Sequence, residues 1–167
     1  RQRQMCIRDS TYFAEIVGIA AVKYADLSRN RLSDYIFNLD AMLSLEGNTA
    51  PYLLYAYVRI QSLLRKAAKE RTGVKGKIVI TGEERSLALL LNQFEEILLQ
   101  VVKDNKPHYL ANYLYALSTE FSRFYEHSTV LNAIEEKRDS RLALAALTGE
   151  ILKKGLNFLG IDVLQRM

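Results

Sequence analysis

The stretch GNTAPYLLYAYVRIQSLLRKAAK, Gly47 to Lys69, decides how the rest of the chain reads. Asn48 or Thr49 can cap a helix by accepting from an unpaired N–H of its first turn, and Pro51 falls in that turn, where a missing N–H does no harm. Leu53, Ala56, Tyr57, Ile60, Leu63, Leu64 and Ala67 then recur at steps of three and four, which places them on one helical face fit for burial. Tyr52, Tyr55, Arg59, Ser62 and Lys66 follow the same spacing on a different face. The chain therefore has a helix to about Lys69 with a core face and a second, aromatic and cationic one.

Upstream, Phe13, Ile16, Val17, Ala20, Ala21 and Tyr24 share a face and predict a helix over 11–27. Ser28 to Leu45 opens on turn formers and then alternates Tyr35, Phe37 and Leu39, which reads as an extended or irregular connector. The first ten residues, RQRQMCIRDS, have no helical or strand period and no apolar signal core, so they read as an extraneous or frayed leader. Downstream, Gly73, Gly76 and Gly82 mark a loop around the short apolar run Ile78 to Ile80, a minor strand or a tucked turn. Gly76-Lys77-Ile78 lacks the spacing and the hydroxyl residue of a phosphate loop.

Thr81 to Glu84 has capping-box spacing. Leu87, Leu90, Leu91, Phe94, Ile97, Leu98 and Val101 continue from it as the stripe of one core helix, ending before Asp104 to Pro107. A further helix after Pro107 turns Leu110, Tyr113, Leu114, Leu117, Phe121 and Phe124 inward, with Tyr115, Ser118, Ser122 and Tyr125 on a neighbouring face, and ends near His127. Asp139 or Ser140 can cap the last helix, whose apolar positions include Leu142, Ala145, Ala146, Ile151, Leu152, Leu156 and Leu159, with Gly160 as its stop. No internal repeat is visible, so helices with short connections predict an all-α, antiparallel bundle.

Composition narrows the chemistry. A chain of 167 residues, 49% hydrophobic, can bury one principal core. Lys and Arg exceed Asp and Glu by 23 to 19, a net charge of +4 that suits a polyanionic partner without demanding one. Cys6 is the single cysteine, which permits no internal disulfide and fits a reducing compartment. With only His108 and His127 besides, no zinc ligand set is expected. No apolar run approaches the roughly 20 residues that cross a bilayer, so a soluble chain is expected. The acidic pairs Glu83-Glu84, Glu95-Glu96 and Glu135-Glu136 point in diverging directions on a helix and read as solvated faces. With no nucleophile elbow either, no catalytic residue is expected.

Binding chemistry has more support. Unpaired RNA bases stack on aromatic rings and guanidinium planes, at roughly 1–3 kcal/mol per base. Tyr52, Tyr55 and Arg59 supply those groups on one helix face. The other account of the same pattern is that tyrosines, ten of them in a chain with no tryptophan, cover half-buried core edges with their hydroxyls wet.

Three segments carry a family likeness. VGIAAVKYADLSRNRLSDYIFNLDAMLSLEGNTAPYLLYAYVRI, Val17 to Ile60, resembles the part of arginyl-tRNA synthetases that joins the catalytic domain to the helical anticodon-binding DALR domain. YLYALSTEFSRFYEHSTVL, Tyr113 to Leu131, is similar to that domain's next diagnostic helix. RLALAALTGEILKKGLNFLGIDVLQRM, to Met167, resembles its closing helix and terminal Arg-Met. The likeness runs from about Glu15 to the last residue, and the G-N-T-A-P-Y block followed by Y-A-Y-x-R favours the arginyl over the cysteinyl enzymes.

The resemblance implies a helical bundle of the class I synthetase anticodon-binding type, with a leader over 1–10, a connector over 11–47 and the DALR domain over 48–167. It implies anticodon contacts at Tyr52, Tyr55, Arg59, Tyr125 and Met167, the partner being arginine tRNA and notably its middle anticodon cytosine. Neither an H-I-G-H nor a K-M-S-K-S motif occurs. ATP and L-arginine would then be bound by a catalytic domain absent from this chain, which itself would hold no cofactor or metal. The implied setting is cytoplasmic, with that catalytic domain as a second partner and no membrane. A free-standing helical protein-interaction module using the tyrosine face is the alternative.

Overall fold

A computed structural model describes residues 2–69, 80 and 82–164. Its helices are α1 (Gln2–Leu27), α2 (Leu39–Met42), α3 (Ala50–Lys69), α4 (Arg85–Asn92), α5 (Phe94–Asp104), α6 (His108–His127) and α7 (Glu135–Phe158), with a 3-10 turn at Gly82–Glu84. No strand occurs among the described residues, in keeping with the all-α expectation.

α3 starts as its sequence requires: Thr49 Oγ1 accepts from the N–H of Tyr52 at 3.3 Å. The predicted core stripe is buried from Leu53 to Ala67, apart from a half-buried Leu64. α6 likewise buries all six residues expected to face inward. α7 packs on both. Gly149 lies where a Cβ would stand 3.0 Å from Ile60 Cγ2, and Gly155 where one would stand 2.5 Å from Leu114 Cδ2. Two helical glycines, each costing about 1 kcal/mol relative to Ala in a free helix, are what admit α7 so close to α3 and α6. α7 ends in a Schellman turn: Gly160 has φ +69, its N–H bonds to Asn157 O at 2.9 Å, and the Ile161 N–H bonds to Leu156 O at 2.9 Å. Lys23 of α1 donates to the Gly160 carbonyl at 2.6 Å, a cation placed at a helix C-terminus.

Direction follows from these pairings. Along α3 and then α6, Tyr52 meets Tyr115 and Arg59 meets Tyr125, so the two helices run the same way side by side. α7 runs against α6, since Gly155 meets Leu114 while Arg141 reaches Thr129 just past the α6 end. α7 is thus antiparallel to both members of the parallel α3–α6 pair.

Four expectations need correction. Residues 2–10, where no helical period was expected, have helical backbone continuous with α1. The core helix expected from Thr81 to Val101 is broken after Asn92. At the break the Leu90 carbonyl takes the Tyr113 hydroxyl at 2.9 Å and the Gln93 N–H, three residues on, at 3.1 Å. Phe94 meanwhile packs against the Tyr113 ring, so a tertiary partner holds the turn that local periodicity would have continued. Asp139 and Ser140 do not cap α7, which starts a turn earlier at Glu135 with Ile134 before it. Glu84 is not a solvated acid: it is 2% exposed and accepts from Arg141 Nε at 2.7 Å. Thr81 and most of the Ile78 to Ile80 run lie outside the described residues.

The buried core is continuous across residue 47. Ala20 and Tyr24 of α1 belong to the same buried cluster as α3, α6 and α7. The Tyr24 hydroxyl shares its one proton between Ala111 O at 2.9 Å and Asn48 Oδ1 at 2.6 Å, fastening α1 where α3 and α6 begin. Burial pushes its pKa well above the ordinary 10.0. Past α1 the chain changes character, and residues 31–41 are exposed throughout.

Candidate nucleic-acid interface

Tyr52, Tyr55 and Arg59 stand on successive turns of α3, and α6 provides what Tyr52 and Arg59 meet. The Tyr52 ring is half-buried and edge-on to Tyr115, with centroids 5.6 Å apart at 61°. One turn on, Tyr55 is 49% exposed. A further turn along, the Arg59 guanidinium lies over the Tyr125 ring, 4.4 Å from its centroid. Such a cation–π contact contributes about 0.5–2 kcal/mol and fixes a side chain that would otherwise sample many rotamers. Tyr125 is backed by the fully buried Phe121, at 6.1 Å between centroids.

Four of the five residues expected at the site therefore share one face: Tyr52, Tyr55 and Arg59 from α3, and Tyr125 from α6. Met167 lies outside the described residues. Tyr52 and Tyr125 cover the seam between two helices, while Tyr55 offers an open ring. Arg59, held over Tyr125, keeps in-plane N–H donors for a base edge or a phosphate.

Beyond Tyr125 the face drops into a cleft of about 330 Å³, lined by Leu63, Tyr125, Glu126 and Ser128 to Asn132. Its wall is the segment after α6, where Ser128 is extended and donates its N–H to Phe124 O at 2.8 Å. Val130 is buried, and Arg141 Nη1 donates to Thr129 O at 2.8 Å. Sequence reasoning missed this wall, since nothing in its period marks it. A wider cleft, about 500 Å³, opens between Ser86, Glu120, Arg123 and His127; its Phe124 ring is buried in the core, and the exposed His127 imidazole is the one ring it leaves open.

Among the described residues no group of three His, Cys, Asp or Glu could hold a metal ion, and no helix is long and apolar enough to cross a membrane.

Comparison with known proteins agrees with this geometry. Residues 53–167 match the model of the DALR anticodon binding domain, and residues 1–39 match that of the class I (R) tRNA synthetase catalytic domain. The arginine–tRNA ligase of Chromobacterium violaceum is 57% identical over 155 residues, covering 92% of this chain and 27% of that protein. The chain thus spans about a quarter of the length of the curated relatives it matches. Among solved structures, Thermus thermophilus arginyl-tRNA synthetase superposes with a TM-score of 0.85 at 34% identity, over 92% of this chain and 27% of that one. The Plasmodium falciparum enzyme gives 0.80 at 33% identity, over 99% and 31%. With its family model matched over more than half its length by a helical bundle of the same shape, the chain belongs to the DALR anticodon-binding domain family.

Proposed function

We propose that this chain binds the anticodon loop of arginine tRNA as the C-terminal part of an arginyl-tRNA synthetase. A catalytic domain outside the chain would bind ATP and L-arginine and charge the distant 3′ end. The chain's own role is to bind and orient, and the setting is the cytoplasm. The observation that carries this reading is the α3–α6 face: an open Tyr55 ring beside an Arg59 guanidinium pinned over Tyr125, at the lip of a cleft. Single-stranded bases are held by such platforms, with donors reaching their exposed edges. The preorganised arginine lowers the entropic cost of binding. Met167 belongs to the same proposed contact set.

Support for a neighbouring catalytic domain comes from the other end of the molecule. Leu32, Ile36 and Phe37 are 80%, 92% and 62% exposed, and they lie in the segment matching the catalytic-domain model. An apolar patch of this kind marks a surface that another body covers.

The test is titration of the purified chain with arginine tRNA and with the same tRNA altered at its middle anticodon base. The altered tRNA is expected to bind roughly ten- to a hundredfold more weakly, the loss of about 1–3 kcal/mol for a misread base. Tyr55→Ala and Arg59→Ala are each expected to weaken the matched complex by about tenfold with the helical circular dichroism unchanged. Equal affinity for both tRNAs sinks the assignment.

A further inference from the structure

Arg141 of α7 bridges the Gly82–Glu84 turn and the segment after α6. It is 9% exposed, and its fork is split: Nε donates to Glu84 at 2.7 Å, and Nη1 donates to Thr129 O at 2.8 Å. Glu84 is itself 2% exposed. Taking both charges out of water carries a desolvation cost that their attraction offsets only with good geometry, and apolar residues of the same volume commonly hold a fold at least as well. Stability alone thus does not call for an ion pair here. What an apolar pair could not do is grip a backbone carbonyl, and that carbonyl is in the wall of the cleft beside Tyr125.

We infer that Arg141, held by Glu84, is a positioning residue for base discrimination. It fixes the Thr129 to Asn132 wall at a set distance from Tyr125, so that the cleft accepts one base shape and refuses others. This inference rests on the proposed anticodon reading. Arg141 does not reach the open face, so it acts on RNA only through the wall. A lysine, with a single ammonium in place of the split fork, cannot serve both partners in the same geometry.

The experiment uses chain 1–167 and the same two tRNAs, matched and altered at the middle base. Arg141→Met combined with Glu84→Leu removes the charges and the Thr129 bond together. This variant is expected to melt at or above the wild-type temperature, yet its preference for the matched tRNA falls by about tenfold, the worth of about one well-placed hydrogen bond. Arg141→Lys, which keeps the charge opposite Glu84, is expected to lose preference in the same direction. Nonspecific affinity, read as binding of a poly(U) strand at low salt, is expected to stay within twofold in both variants. A folded double variant or Arg141→Lys that keeps full wild-type preference overturns the inference, because the pair is then only structural. If wild-type chain shows no preference, the anticodon reading itself has failed, an outcome distinct from a preference that the variants leave untouched.

Discussion

The connector over 28–45 and the bundle over 50–164 are built from comparable proportions of apolar residues and use them in opposite ways. In the bundle, Leu53, Ile60, Leu114, Leu117, Phe121, Leu142 and Leu152 lose essentially all contact with solvent. In the connector only Met42 is buried, while Leu32, Ile36, Phe37, Leu39 and Leu45 stay open. The polar contacts differ as well. The Tyr35 hydroxyl of the connector donates to the nearby Asp26, whereas those of Tyr24 and Tyr113 reach across 87 and 23 residues to backbone carbonyls. The bundle buries most of its apolar side chains in one core, although Leu99, Val102, Ile134 and Phe158 stay exposed. Apart from Met42, the connector leaves its apolar side chains open, and Leu32, Ile36, Phe37 and Leu39 of it fall within the 1–39 segment that matches the catalytic-domain model.

The largest expected effect sets the two regions directly against each other. Phe121→Ala should cost about 3–5 kcal/mol by opening a cavity under Tyr125, whereas Phe37→Ala should stay within about 0.5 kcal/mol, both read from urea unfolding. Similar costs would show that the connector shares the core after all. Next in size is Gly155→Ala, whose Cβ would press on Leu114 and should destabilise by about 1–3 kcal/mol despite alanine's better helix propensity.

Smaller still is the alkaline limb. Burial raises the Tyr113 hydroxyl from the ordinary 10.0 to about 12, and raises Tyr24 further. The folded chain then holds protons that the unfolded chain gives up, so stability is complete below pH 10 and declines as pH climbs from there toward 12. Tyr113→Phe should flatten that decline, measured as melting temperature against pH. Tyr35 is also raised, first through its hydrogen bond to Asp26, but it is exposed, and Tyr35→Phe should change the profile less. A larger change at Tyr35 would mean that the connector contributes more to the folded state than its exposure allows.

Much of this was legible in the residues. The Thr49 cap, the core stripes of α3 and α6, and the Gly160 stop are local events, decided by hydrogen-bond partners and side-chain period within a few residues. The tyrosine-arginine face of α3 is a matter of period too, which is why Tyr52, Tyr55 and Arg59 could be placed together without coordinates. Other features depend on which helices meet and at what level. The α4–α5 break belongs to Tyr113, 23 residues from the carbonyl it takes, and Glu84 is paired across 57 residues with Arg141. Arg59 meets Tyr125 because α3 and α6 run parallel under an antiparallel α7. A helix's faces are fixed by its own 3.6-residue turn, so the sequence alone determined them. The level at which two faces meet is set by close packing of the whole core, down to a missing Cβ at Gly149 and Gly155, and that only the tertiary structure decided.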